Sequence, residues 1–75
     1  MKPKVAFICV HNSCRSQMAE AIGRLYGSEL FDSYSAGTEI KSKINKDAVK
    51  VIQKLYSIDI SEIQHVKLID DLPEI

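Results

Sequence analysis

The residues of this 75-residue chain that could do chemistry are concentrated in one short segment, CVHNSCRS, which runs from Cys9 to Ser16. A cysteine thiolate is a nucleophile, and an arginine guanidinium offers two parallel donors that suit a phosphate or arsenate oxyanion. The spacing of Cys9 and Arg15 is a weak signal by itself, because two cysteines and two arginines would meet at this offset by chance about one time in twenty. The interpretation therefore depends on where the segment lies in the fold.

The segment lies between a predicted strand and a predicted helix. Residues 5–10, VAFICV, are continuously apolar, which predicts a strand buried on both faces of a parallel sheet. In an open α/β sheet, ligands bind beyond the carboxyl ends of the strands, which is where Cys9 falls. From Ser13 onward, apolar residues recur at helical spacing, and Gly27 lies where a helix commonly ends. The spacing predicts that the core face of this helix consists of Met18, Ala19, Ile22, Leu25 and Tyr26.

This position predicts an anion cradle around a reactive thiol. The backbone N–H groups of the loop and the dipole of the helix would converge on a tetrahedral oxyanion. The same field would hold Cys9 as a thiolate, with Ser16 donating a hydrogen bond to the sulfur. Asn12 suits the left-handed backbone position that such a loop needs. The predicted oxyanion-binding residues are Val10, His11, Asn12, Ser13, Cys14 and Arg15.

The alternative interpretation is structural. Cys9 would then be a small buried hydrophobe at the end of a strand, and Arg15 a solvated helix residue. We prefer that interpretation for Cys14, which we expect to be a buried loop thiol, and for Glu20, which we expect to be a solvated helix charge. For Cys9 we prefer the nucleophile, because polar residues surround it on the loop.

The remaining segments complete a β-α-β-α order. Residues 31–37 predict a second strand, and residues 41–43 an exposed loop. Asn45 predicts the cap of a second helix, and Ser61 with Gln64 resembles a capping box for a last helix that continues to about Leu72 and stops at Pro73. The apolar face of the second helix is predicted to be Ala48, Val49, Ile52, Leu55 and Tyr56.

The predicted fold class is therefore α/β, as one partial domain over residues 1–75 that forms the first half of a doubly wound parallel sheet. A strand as apolar as residues 5–10 normally has a neighbour on each side. We expect one edge of the sheet to be uncovered in a truncated chain of this kind. This edge predicts a homodimer or strand exchange between copies.

The composition limits the partners. Ten basic and ten acidic side chains cancel, which argues against nucleic acid or an anionic membrane surface as a partner. No apolar run approaches the ~18 residues of a membrane span, and we expect a cytoplasmic protein. The two cysteines, Cys9 and Cys14, form no metal-type pair and suggest reactive thiols better than a disulfide framework. We expect no metal and no cofactor.

Three stretches resemble a known family. Residues 9–20, CVHNSCRSQMAE, resemble the phosphate loop and first helix of the low-molecular-weight protein tyrosine phosphatase superfamily, and QMAE is similar to its thioredoxin-coupled arsenate reductase branch. Residues 34–39, YSAGTE, resemble the second strand and turn of that branch, and residues 58–61, IDIS, the stretch after its second helix. The resemblance covers nearly all of the chain but only about the first half of a family member.

The resemblance implies a four-stranded parallel sheet with helices on both faces, and roles for individual residues. Cys9 would be the nucleophile, Arg15 the oxyanion clamp, Ser16 the stabiliser of the thiolate and Asn12 the organiser of the loop. Thioredoxin or another thiol would be the reductant. In some arsenate reductases of this kind a potassium ion lies behind the loop; the matching positions are Asn12, Glu20, Ser35 and, in place of an aspartate, Lys67, whose ammonium would replace the ion.

The departures from the family bear on turnover. The family places an Asp-Pro general acid late in the chain, and this sequence contains no Asp-Pro. The reductases also use two further cysteines that find no counterpart here. Three hypotheses follow: an arsenate reductase-like protein with impaired activity, a low-molecular-weight tyrosine phosphatase, and a non-catalytic oxyanion-binding or dimerising fragment.

Overall fold

The computed structural model of the chain describes residues 2–39 and 43–73. Of the predicted exposed loop, residues 41 and 42 lie outside the described residues, and Lys43 is exposed. The elements follow in the order β1 (Lys4–Cys9), α1 (Arg15–Gly27), β2 (Asp32–Gly37), α2 (Lys46–Tyr56), α3 (Ile60–Ile63) and a 3₁₀ turn (Ile69–Asp71). The predicted β-α-β-α order is confirmed.

The two strands form a parallel pair. The register runs from Lys4 opposite Asp32 to Cys9 opposite Gly37, so both strands end at the same level. The carboxyl ends of β1 and β2 therefore form one edge, and the segment from Val10 to Cys14 begins there. No helix in the described part of the chain is long and apolar enough to cross a membrane.

The predicted last helix is wrong. Asp59, not Ser61, caps α3, and its side chain accepts a hydrogen bond from the Ser61 amide at 3.0 Å. The helix ends after Ile63, and the chain then runs extended beside β2, where the Gly37 amide donates to the Lys67 carbonyl at 2.9 Å. Tertiary hydrogen bonds of residues 64–67 replace the helical ones that the local pattern favoured.

The predicted core face of α1 is also wrong in large part. Tyr26 is 72% exposed and Leu25 44%, whereas the buried residues of the helix are mostly polar: Ser16, Gln17, Glu20, Ala21 and Gly27. Polar contacts with the preceding loop and with residues 64–67 orient the helix, so Ile22, Leu25 and Tyr26 of the apolar stripe are exposed, whereas Met18 packs on the core. Likewise Ile8 in β1 is 47% exposed, because only one face of that strand is covered.

The small apolar core lies between α1 and α2. It consists of Ala21, Ile52 and Ile60, with Met18, Ile44, Val49, Tyr56 and Ile58 packed around it. The Asn45 cap is confirmed, since its side-chain oxygen accepts from the amides of Asp47 at 2.8 Å and Ala48 at 3.2 Å. Of the predicted face of α2, Leu55 is exposed.

The free edge of β1 generates a prediction about self-association. Among residues 2–39 and 43–73, β1 has one strand neighbour, β2, and an unpaired edge offers N–H and C=O groups to a second chain. We expect residues 1–75 to form concentration-dependent dimers in sedimentation equilibrium. Ile8→Lys, which places a charge beside that edge, should weaken the dimer, whereas Leu30→Lys, at an exposed site outside the sheet, should not. A monodisperse monomer at high concentration would contradict the prediction.

Candidate active-site loop

Gly37, the last residue of β2, packs directly against the backbone of the loop. A Cβ atom at Gly37 would lie 2.7 Å from the Val10 carbonyl oxygen and 2.9 Å from the Asn12 nitrogen, so only glycine permits this approach of two backbones. Just beyond it, the amides of Thr38 and Glu39 both donate to the Val10 carbonyl, at 2.9 and 2.8 Å. The end of β2 thus fixes the start of the loop.

The Cys9 sulfur receives hydrogen bonds from the loop and from the first turn of α1. Its Sγ lies 2.9 Å from Ser16 Oγ, and the Asn12 amide donates to it at 3.2 Å. Partial burial acts to raise the pKa of the Cys9 thiol, but the Ser16 hydroxyl and the backbone amides of Ser16, Asn12 and His11 outweigh it, and the pKa lies below its ordinary value. Both Cys9 and Cys14 are free thiols.

Asn12 organises the loop. Its φ of 54° is left-handed, as predicted, and the residue is fully buried. Its Oδ1 accepts from the Lys67 amide at 2.9 Å, and because a backbone N–H can only donate, this contact fixes which way the side-chain amide points. Its Nδ2 therefore donates to Ser16 Oγ at 2.8 Å, which leaves the Ser16 hydroxyl hydrogen for the Cys9 sulfur.

The other residues that the sequence predicts to bind the oxyanion differ from one another in burial and in hydrogen-bond partners. Arg15 is the first residue of α1 and is exposed. Ser13 is buried, and its carbonyl accepts from the Asn45 amide at 2.6 Å. The His11 ring lies 3.2 Å from the Glu39 carboxylate at an exposed position. Val10 is exposed and Cys14 is half-buried before α1. The structure thus brings the side chains of Cys9, Asn12 and Ser16 together and turns that of His11 towards Glu39.

Behind the loop lies a buried ionic cluster around Glu20, so the interpretation of Glu20 as a solvated charge is wrong. One carboxylate oxygen pairs with Arg24; the other accepts from the Ser35 hydroxyl and lies 3.2 Å from Lys67 Nζ. The ammonium also lies 3.5 Å from Ser35 Oγ and 3.1 Å from the His65 carbonyl. Burial makes such a carboxylate costly unless it is paired, and two cations pair with it.

The same cluster occupies the positions that match the potassium site of some arsenate reductases. The oxygens of Glu20 and Ser35 already receive the Lys67 ammonium, so these residues do not fit a second cation there. In residues 2–39 and 43–73, no three His, Cys, Asp or Glu residues are grouped so that they could hold a metal ion.

The sequence interpretation missed two residues of this site, Gln17 and Gln64. Gln17 is fully buried and Gln64 nearly so, and they hydrogen-bond each other between the loop and residues 64–67. One signal could have found Gln17: Ser16, Gln17 and Glu20 lie on one face of a helix, together with Arg24. A polar stripe of this kind indicates a buried network when it follows directly after a reactive loop.

A larger, more apolar cavity lies away from the loop. It has a volume of about 480 Å³ and lies between α2 and the chain after α3, where Ile44, Val49 and Val66 line it together with Lys43, Lys46 and Lys50. None of the residues from Cys9 to Ser16 lines it. We place the candidate site at the loop, because an oxyanion needs converging donors rather than an apolar volume.

Residues 4–70 match the family described as low molecular weight phosphotyrosine protein phosphatase. The chain belongs to this family. The match includes the whole of the segment from Cys9 to Ser16, and it confirms both the resemblance and the α/β fold class.

Curated relatives of this phosphatase family member are arsenate reductases. The chain is 48% identical over 61 residues to the arsenate reductase of Halalkalibacterium halodurans, covering 81% of this chain and 42% of the relative. It is 45% identical over 60 residues to arsenate reductase 1 of Staphylococcus epidermidis, covering 80% and 44%. The chain therefore spans less than half the length of the curated relatives it matches.

A solved structure supports the same family assignment. The low molecular weight protein tyrosine phosphatase from T. tengcongensis superposes with a TM-score of 0.78 at 33% identity, covering 91% of this chain and 49% of that one. The two-stranded parallel sheet with its helices thus corresponds to about half of a phosphatase of this fold.

The close approach at Gly37 predicts the effect of a single methyl group. Gly37→Ala would place a Cβ against the backbone of Val10 and Asn12, so the loop must move, at a cost of about 1–3 kcal/mol in the free energy of unfolding. The pH midpoint of Cys9 alkylation should rise, because the Asn12 amide leaves the sulfur. In the control Gly23→Ala, the added methyl group meets side-chain atoms of Ser33 and Phe7, and the midpoint should not move. An unchanged midpoint in Gly37→Ala would contradict the prediction.

The lowered pKa of Cys9 predicts how stability depends on pH. A group whose pKa is lower in the folded state stabilises the fold above its unfolded pKa, about 8.5 for a thiol, and loses this effect as the pH falls through the folded value. The free energy of unfolding of the wild type minus that of Cys9→Ser, measured in urea from pH 5 to 9, should increase with pH. Ser16→Ala should reduce the slope of this difference. A difference that is independent of pH would contradict the pKa shift.

Proposed function

We propose that the chain binds a tetrahedral oxyanion at the loop and presents Cys9 to it as the nucleophile of an arsenate reductase-like reaction. The observation that carries this proposal is the pair of hydrogen bonds from Ser16 and Asn12 to the Cys9 sulfur, at 2.9 and 3.2 Å. A sulfur held by donors is poised to be a thiolate, and the thiolate is the form that attacks.

The proposed oxyanion site lies over the N-terminus of α1. Loop amides and the positive end of the helix dipole attract an anion there, and the guanidinium of Arg15, exposed at the first helical position, would clamp two of its oxygens. The amides of His11 and Asn12 face the sulfur, so the remaining amides of residues 10–15 would bind the oxyanion. This division of donors lets one short loop stabilise both the nucleophile and its target.

The proposed reaction begins with attack on arsenic. The Cys9 thiolate forms a sulfur–arsenic bond as one arsenate oxygen, protonated, leaves as water. A second thiol then attacks the Cys9 sulfur, the electron pair of the sulfur–arsenic bond passes to arsenic, and arsenite leaves as a disulfide forms between Cys9 and that thiol. Arsenic is reduced by two electrons and the two sulfurs are oxidised. We propose thioredoxin or another external thiol as the reductant.

We propose that turnover by residues 1–75 is slow. The leaving oxygen needs a proton, and a positioned general acid typically supplies a factor of about 10²–10⁴ in rate. This sequence contains no Asp-Pro pair of the kind that the family uses. The proton would come from solvent, so binding of the oxyanion should be easier to detect than its conversion.

A second candidate function is phosphatase activity, which the family match and the solved structure of a tyrosine phosphatase favour. The Cys9 thiolate would then attack the phosphorus of a phosphate ester, and the ester P–O bond would break to release the alcohol, protonated from solvent. Water would hydrolyse the resulting phosphocysteine to inorganic phosphate and the free thiolate. We place either activity in the cytoplasm, where thiols such as Cys9 and Cys14 stay reduced. The third hypothesis, a non-catalytic oxyanion-binding or dimerising fragment, remains as an outcome of the tests.

The proposal predicts which thiol reacts and what protects it. We expect Cys9 to be alkylated by iodoacetamide at lower pH than Cys14, as peptide mass mapping from pH 4 to 9 would show. Arsenate should slow alkylation of Cys9, and Arg15→Lys, which keeps the charge but loses the two-pronged donor, should weaken this protection about tenfold. If both thiols react as ordinary cysteines and arsenate changes nothing, the proposal is wrong.

Two assays separate arsenate reductase from phosphatase activity. Arsenite production that requires an added thiol and disappears in Cys9→Ser supports the first. Hydrolysis of an activated aryl phosphate that disappears in the same variant supports the second. If arsenate protects Cys9 but neither product forms, the chain is an oxyanion-binding module.

A further inference from the structure

Two buried glutamines connect the loop to Arg24, a charged residue further along the same face of α1. We propose that Gln17 and Gln64 are positioning residues that orient Asn12 and Ser16, and thereby strengthen the hydrogen bond from Ser16 to the Cys9 sulfur. The inference deepens the proposed function and rests on it, since it concerns what makes Cys9 a nucleophile. Neither residue touches the reacting atoms.

The orientation of Gln17 is fixed by backbone groups. Its Nε2 lies 3.0 Å from the Asn12 carbonyl oxygen and 2.9 Å from the His65 carbonyl oxygen. Carbonyl oxygens only accept, so this end of the side chain must be the amide NH₂. Asn12 Oδ1 also lies 2.9 Å from this NH₂, so its two hydrogens serve three acceptors and one of them is shared, while Gln17 Oε1 is left to accept.

The orientation of Gln64 follows in the same way. Its Nε2 donates to the Gln17 carbonyl oxygen at 3.0 Å and to Gln17 Oε1 at 2.6 Å. Its Oε1 then accepts from Arg24 Nη1 at 3.0 Å. A backbone carbonyl again decides which end is the NH₂, so the assignment does not depend on the side-chain contacts that it explains.

All donors in this chain of hydrogen bonds therefore point towards the sulfur. The order from donor to acceptor is Arg24, Gln64, Gln17, Asn12, Ser16 and Cys9. In a run of aligned hydrogen bonds each one polarises the next, and burial strengthens the effect because water does not screen it. A guanidinium stands at the donor end and a thiol at the acceptor end, so the arrangement favours negative charge on sulfur.

Charged groups surround both ends of this chain of hydrogen bonds. At the far end, Arg24 and Lys67 both pair with the Glu20 carboxylate. At the near end, the sulfur faces the Ser16 hydroxyl and the amides of His11, Asn12 and Ser16. Gln17 and Gln64 carry no charge, and the contact that joins them to the sulfur in this series of hydrogen bonds runs through Asn12 and Ser16.

The competing explanation is purely structural: the glutamines add hydrogen bonds and packing to the fold and have no effect on the thiol. Both explanations predict that removing a glutamine lowers the free energy of unfolding. Only the positioning role predicts that the pH dependence of Cys9 reactivity changes in the protein that remains folded. The pH midpoint of alkylation is therefore the readout that separates them.

The test uses near-isosteric variants of residues 1–75. Gln17→Met and Gln64→Met keep side-chain length but remove every amide donor and acceptor, and Gln53→Met, on the exposed face of α2, is the matched control. Alkylation of Cys9 by iodoacetamide is followed by peptide mass mapping from pH 4 to 9, in conditions where urea melts show each variant folded. We expect the midpoint to rise by about 0.5 pH units or more in both core variants and to stay in place in the control.

A further variant keeps the test decisive if a core variant does not fold. Arg24 is partly exposed, and Arg24→Met removes the charge at the donor end while keeping the apolar stem, so a smaller rise of the midpoint is expected. Folded variants that lose stability but keep the wild-type midpoint would overturn the inference. A wild-type midpoint at the ordinary thiol value would instead overturn the proposed function, so the two failures are distinguishable.

Discussion

The hydrogen bond from the Lys67 amide to Asn12 Oδ1 is the contact on which the rest of the site depends. It fixes the orientation of a fully buried side chain whose other end donates to Ser16, and through Ser16 it decides whether the hydroxyl hydrogen points at Cys9. A buried polar group left without its partner costs about 1–3 kcal/mol, so Asn12 tolerates few other arrangements. A left-handed backbone at Asn12 then turns its own amide to the sulfur.

This dependence on polar contacts fits the composition of the interior. The buried apolar residues are three alanines and two isoleucines: Ala21, Ala36, Ala48, Ile52 and Ile60. The buried face of α1, by contrast, carries the polar residues Ser16, Gln17 and Glu20. Polar networks add little net stability compared with apolar packing, but they permit only one geometry, because each unmatched donor is penalised. The interior near the loop is thus arranged for precise placement of groups, and the apolar packing between α1 and α2 holds it together.

The parts of this structure that the sequence predicted are those that local physics decides. The strand before the loop, the left-handed Asn12 and the Asn45 cap each depend on neighbours in the chain, and the structure confirms them. Burial of that strand on both faces depends on distant segments, and this prediction was wrong. The apolar face of α1, the state of Glu20 and the segment after Ile63 depend on residues more than 40 positions apart, as in the contact of Gln17 with Gln64. Helical periodicity cannot show that a polar stripe is buried when its partners lie on a distant extended segment.

The extended segment of residues 64–67 both orients the loop and compensates the charge of Glu20, which links its docking to the state of the Cys9 thiol. The Lys67 backbone orients Asn12, while the Lys67 ammonium neutralises Glu20, the carboxylate beneath the loop. Two contacts on one residue mean that charge compensation and loop orientation form or fail together. Docking of residues 64–67 against the loop and ionisation of Cys9 are therefore thermodynamically linked. A change that stabilises the docked segment favours the thiolate, and formation of the thiolate or binding of an oxyanion in turn favours docking. Under the proposed function, the reactivity of Cys9 would depend on residues 64–67, which lie far from it along the chain.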